Sequence, residues 1–210
     1  MSASTDDSGH SGVVVELRRL HREATYSRWL GRWVAASAVV FFATAFAGFS
    51  VVDAIPLEHL EPLVPHESIL PEFSVVAIAV NNLRVLGLLA VGLVTVGVVG
   101  ALVLAVNGLV VGAVVALAVQ RTSWLVVVAS LLPHGVLELP AFWMAAAAGF
   151  RFTYRLGRWA LGYEESPLTR VEAFELVVLF SVLALTIAVA AWVEVVLTPE
   201  FVDLVAGGVS

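Results

Sequence analysis

The fold class this sequence predicts is all-α, a polytopic bundle of about five transmembrane helices with its N-terminus inside and its C-terminus outside. Three observations predict it. Of the 210 residues, 60% are hydrophobic and only 13% charged; a soluble domain is about half apolar and a quarter charged, so the surplus apolar surface has to face lipid. The apolar residues gather in runs of about twenty, the length that crosses about 30 Å of hydrocarbon at 1.5 Å per residue. The charges between the runs are segregated by sign, basic in some connections and acidic in others.

Residues 1–12 are small and polar and read as a disordered tail. Residues 13–33 carry Arg18, Arg19, Arg22, Arg28 and Arg32 among Leu17, Leu20, Trp29 and Leu30, the pattern of a basic amphipathic helix in the membrane interface. No small-residue cleavage pattern closes the apolar run that follows, so 34–52 is expected to be a retained first span rather than a removable signal. Residues 53–72 hold five acidic residues, four prolines and no arginine, an acidic outer loop. Spans two and three fall at 73–95 and 97–119. The break is placed at Thr95-Val96-Gly97, because a break at Asn107-Gly108 leaves a piece too short to cross. Gln120 to Ser123 forms an outer turn, and Trp124 opens span four, 124–150, as an interfacial aromatic. Arg151, Arg155, Arg158 and Arg170 then mark an inner loop, so that nine of the eleven basic residues, all arginine, lie inside. A last span, 173–197, leads to an outer tail, 198–210.

The candidate functional residues are polar side chains that these boundaries bring to one depth. Asn82 and Arg84 sit about 13 and 16 Å below the outer edge, Asn107 about 15 Å above the inner edge, and His134 about 15 Å into span four. Asn81 adjoins them. Glu138 follows His134 by one helical turn and shares its face, and Arg84 is the expected counter-charge for Glu138. An ionisable group at the bilayer centre costs about 2.5–3.5 kcal/mol on insertion scales, so it is paired or faces a wet cavity. The cluster reads either as helix-to-helix hydrogen bonding or as a binding site. Pro133 and Pro140 flank it and are expected to kink or unwind span four, with Gly108, Gly112 and Gly135 as packing or breaking positions. Glu175 and Glu194 are placed near the ends of the last span, as interface residues.

Several functions are disfavoured by composition. The absence of cysteine excludes disulfides and thiolate metal sites. A net charge of -6 with no basic soluble domain argues against nucleic acid. Zinc hydrolysis would call for a motif such as His-Glu-x-x-His, whereas His134 has a single carboxylate partner and no second histidine within reach; Ser130 lies one turn before it, so a nucleophile and base pair can be drawn. No catalytic residue, metal or cofactor is therefore assigned. The expected partners are membrane lipid and other membrane or envelope proteins, with self-association left open, in the plasma membrane.

Asn81-Asn82, Asn107-Gly108 with Gly112, and Pro133-His134-Gly135 followed by Glu138, Ala141 and Gly149 together resemble the stage II sporulation protein M family. The resemblance covers about residues 32–197. It implies an integral membrane protein of about five spans, similar to one that assembles with peptidoglycan-remodelling proteins during engulfment in spore-forming bacteria. A scaffold or assembly factor is the function this favours; the alternative is a small transporter or flippase component working through His134 and Glu138.

Overall fold

A computed structural model describes residues 26–60 and 74–207, and every structural statement below concerns those residues. They form α1 (Tyr26–Asp53), the single turn α2 (Leu57–Leu60), α3 (Val75–Val91), α4 (Val98–Arg121), α5 (Trp124–Ala160) and α6 (Arg170–Gly207). The amphipathic segment from residue 13, the tail before it and most of the acidic loop lie outside the described residues. Within them, residues 26–33 continue into the first long helix without a break.

Four helices are long and apolar enough to cross a membrane: α1 from Leu30, α4, α5 and α6. The helix α3 has 17 residues, about 25 Å of rise and the lower limit for a crossing. Large apolar side chains cover the outer faces, Phe46 73% and Leu185 69% exposed among them. In water such a surface would drive association; in hydrocarbon it is the correct exterior. Hydroxyl groups inside the helices are satisfied locally. Ser37, Thr44, Ser130, Thr153, Ser181 and Thr186 each donate to the carbonyl four residues back, which removes a donor that lipid cannot accept.

The expected hairpin between spans two and three is present. Helix α3 begins at Ser74, whose hydroxyl accepts from the Ala77 amide at 3.1 Å. The chain reverses over residues 92–97, where Val96 and Gly97 take φ of 52° and 74°. Gly97 donates its amide to the Gly92 carbonyl at 2.9 Å, closing the turn.

Helices α1 and α4 run parallel and so close that three glycines at the seam leave no room for a Cβ. A Cβ on Gly112 would lie 1.8 Å from the Ala45 carbonyl oxygen, one on Gly108 2.5 Å from that of Phe41, and one on Gly48 2.2 Å from that of Leu109. Gln120 donates to the Val52 carbonyl at the far end. Helix α5 occupies the middle, in contact with α1, α3, α4 and α6. Its Ala141, Ala145, Ala146, Ala147, Ala148 and Gly149 are buried, small residues that let neighbouring helices approach on several sides. The core joins them and Phe142 to Leu86 and Leu89 of α3, Leu104 of α4, and Leu183 and Ile187 of α6.

The helices run longer than the expected spans. Of the kink or unwinding expected in span four, unwinding is absent: α5 is one continuous helix through Pro133 and Pro140 and runs on to Ala160, 37 residues in all. A proline removes one ladder bond, and neighbours in a packed bundle can absorb that loss. The last helix runs beyond the expected span end at Leu197. It continues through Pro199 to Gly207, with buried Thr198 donating its hydroxyl to the Val193 carbonyl at 3.2 Å. It also starts three residues earlier than expected, at Arg170.

Candidate functional site

His134 and Glu138 project from one face of α5 as their spacing requires, and the structure brings a third group to them. Glu194 of α6 places a carboxylate oxygen so that one donor atom from each of the three residues lies within 4.8 Å of the others. All three are half-buried. Glu138 lies 14 residues from Trp124 and 13 from Arg151, about 21 and 20 Å along the helix, close to midway between the two expected interfaces.

Glu194 is the residue the sequence reading misplaced. A span ending at Leu197 put it near an interface, whereas the structure sets its carboxylate beside His134 and Glu138. The antiparallel packing of α5 on α6 then sets it opposite Glu138. Two ionised carboxylates within 4.8 Å of each other repel by at least about 3.5 kcal/mol at an effective dielectric of 20, so the pair is relieved either by a proton held on one carboxyl or by a nearby positive charge. Arg84 does not supply it: its side chain is exposed, and the described ion pairs include none with Glu138. An arginine gains more from reaching water or headgroups than from entering a packed interior.

The asparagines divide. Asn82 is buried and Asn81 exposed, and Asn81 donates its amide to the Asn82 side-chain oxygen at 3.2 Å. Asn107 donates to the Val103 carbonyl of its own helix at 2.8 Å. These bonds stay within α3 and within α4, so the amides are held locally and the described hydrogen bonds do not tie them to His134 or Glu138. Ser130 likewise donates to the Val126 carbonyl at 2.8 Å, with its hydroxyl committed to the backbone and not to the imidazole. Gly108 and Gly112 belong to the α1–α4 seam, whereas Gly135 has nothing within 4 Å of where a Cβ would stand.

His134 also carries a buried nitrogen, Nδ1, with no hydrogen-bond partner. The described hydrogen bonds and ion pairs join none of the three residues to another. Their donor atoms face one another at more than bonding distance.

A second polar centre lies at the other end of α5, where the sequence shows a basic cluster. Arg151 donates to Glu172 at 2.7 Å; Arg155 donates through Nε to Glu164 at 2.7 Å, through Nη1 to Glu172 and through Nη2 to the Ser166 carbonyl. Arg158 donates to Glu164 at 2.9 Å. Burial opposes ionisation of Glu172, but hydrogen bonds from Thr169 and Arg151 outweigh it and hold that carboxyl at about 2. Bonding to Arg155 lowers Glu164 as well. Thr169 and Glu172 form a reciprocal cap: the Thr169 amide donates to Glu172 at 2.9 Å and the Glu172 amide to the Thr169 hydroxyl at 3.2 Å. The sequence signal was there to read, a threonine followed three residues later by glutamate before an apolar run. Arg32 stacks over Trp33 and Tyr154 at 5.1 and 5.3 Å, fastening α1 to the same end.

The comparison that decides the family comes from the sequence profile of stage II sporulation protein M, which matches residues 37–199. The chain belongs to that family. It is also 31% identical over 130 residues to an uncharacterized protein of Methanocaldococcus jannaschii, a match covering 61% of this chain and 73% of the archaeal one. No solved structure matches the chain. The family's profile spans all four long helices in whole or in large part, together with α3, and so contains both polar centres.

Proposed function

We propose that this member of the stage II sporulation protein M family is a multi-pass scaffold or assembly factor of the plasma membrane that acts with envelope-remodelling proteins. The observation that carries the reading is the separation of polar from open surface. The ionisable side chains His134, Glu138 and Glu194 gather between α5 and α6, while grooves on the outside of the bundle are lined almost wholly by apolar residues. One of about 740 Å³ lies between α5 and α6, lined by Leu132, Pro133, Val136, Leu197, Phe201 and Leu204 with Glu200 at its edge. Such a groove suits an apolar helix of another membrane protein better than a hydrated solute. The ion-paired end of α5 and α6 adds a rigid projection for docking at the inner face.

In this reading α3 is the fifth crossing. The parallel course of α1 and α4 supports it, since the chain between them has to return across the membrane for both to point the same way. With the arginine-rich end inside, the N-terminus is cytoplasmic and the C-terminus external. The test is a pull-down of the full chain from native membranes in mild detergent. A reproducible envelope-protein partner is expected, and Leu204→Arg in the groove should release it. Recovery of no reproducible partner, or Glu138-dependent movement of a solute in reconstituted vesicles, would replace the scaffold with the transport alternative.

A further inference from the structure

We propose that His134, Glu138 and Glu194 form a binding site for one divalent transition-metal ion, zinc being the natural probe, which clips α5 to α6 in the middle of the membrane. The argument starts from geometry. Three donor atoms of metal-ligand type, contributed by two helices and by positions 56 residues apart at their nearest, lie within 4.8 Å of one another. In a tetrahedral site with bonds of about 2.1 Å, neighbouring donors stand about 3.4 Å apart. The donor atoms therefore need to close by at most about 1.4 Å around an ion, a movement that rotamer adjustment supplies.

A second observation is independent of the two carboxylates. The buried Nδ1 of His134 has no partner, although a buried polar atom is normally hydrogen-bonded and leaving it unpaired is costly. An ion, or a water held by one, would satisfy an imidazole nitrogen in the cluster. Charge gives the third support. In their metal-ligating forms, two carboxylates and a neutral imidazole carry -2, which a dication neutralises, the condition under which ionised groups are best tolerated at membrane depth.

The donor set selects the kind of ion. One imidazole nitrogen with two carboxylate oxygens suits zinc, manganese or ferrous iron, whereas calcium and magnesium take all-oxygen sites. Three protein ligands leave a fourth position for water or for an acceptor group from another molecule. This proposal stands apart from the scaffold reading: loss of partner binding would leave the metal site untouched, and loss of the metal site would leave the docking groove in place.

The experiment uses the full chain, purified in detergent with a tag that carries no histidine, stripped with chelator and titrated with zinc by calorimetry. The expected result is about one zinc per chain, with Glu138→Gln and Glu194→Gln each weakening affinity by at least about tenfold, since even outer-shell partners of a metal contribute that much. His59→Ala, on an exposed residue of α2, should change nothing. A second measurement needs no variant. X-ray absorption of the zinc-loaded native chain should show nitrogen and oxygen ligation with a single imidazole. No zinc bound, affinity unchanged in both glutamine variants, or ligation by two or more imidazoles from outside the spans would overturn the proposal.

Discussion

Replacing Gly112 with alanine puts one carbon where the structure has no room for it. The new Cβ would stand 1.8 Å from the Ala45 carbonyl oxygen, 2.7 Å from its carbon and 2.8 Å from the Phe49 nitrogen. All three are backbone atoms of α1, so no rotamer change relieves the clash. An ordinary carbon–oxygen contact is about 3.4 Å, so α1 and α4 must part by about 1.5 Å. A gap of 0.5–1 Å already forfeits a quarter to a half of each packing contact, and the loss extends along the seam to Gly108 and Gly48. Overpacking costs about 1–3 kcal/mol; a clash of backbone on backbone belongs at the top of that range. At about 2–4 °C per kcal/mol for a chain of this size, the apparent Tm in detergent should fall by about 6–12 °C. Gly135→Ala and Gly87→Ala, where nothing lies within 4 Å, are the controls. They should leave Tm unchanged or raise it, since alanine favours helix by up to about 1 kcal/mol. A Gly112→Ala protein that melts with the wild type, or a Gly135→Ala protein that melts as early as Gly112→Ala was expected to, would refute the packing argument.

Three further outcomes are expected. Val96, a β-branched residue at φ 52°, is strained by about 1–2 kcal/mol, so Val96→Asn should raise the melting temperature. Thr169→Ala removes the cap of α6 and should cost about 1 kcal/mol in denaturation experiments. The Glu172 carboxyl titrates at about 2 in the folded protein, below its ordinary 4.5. Its contribution is therefore present above that ordinary value and lost as pH falls through the interval toward 2. Melting followed from pH 7 down to pH 3 should show a decline over the acidic part of the range that Glu172→Gln makes shallower; equal slopes would remove the stabilising role assigned to the carboxylate.

Helix content, the break near Gly97 and the basic and acidic segregation were legible because each is a local property of the chain. An apolar run is long or short whatever its neighbours do, and a glycine that takes positive φ marks a reversal without reference to the rest of the fold. The pairing of His134 with Glu138 was legible for the same reason, since one helical turn fixes both directions. Gly108 and Gly112 could be suspected as packing residues, but their partners on α1 could not be named, because which helices touch is settled by the whole bundle.

What the sequence by itself determined about this protein is its solvent: too much apolar surface for water, arranged in lengths that fit a bilayer, and a family signature that survives at the level of a few motif residues. Only the tertiary structure decided which polar groups meet. Glu194 looks like an interface residue until the antiparallel packing of α6 on α5 brings it beside Glu138. Arg84 looks like the counter-charge until the fold leaves it exposed. The physical reason is that side chains on one helix have fixed relative directions, whereas the rotation and axial offset between two helices follow from every contact along the seam, and no single residue announces them.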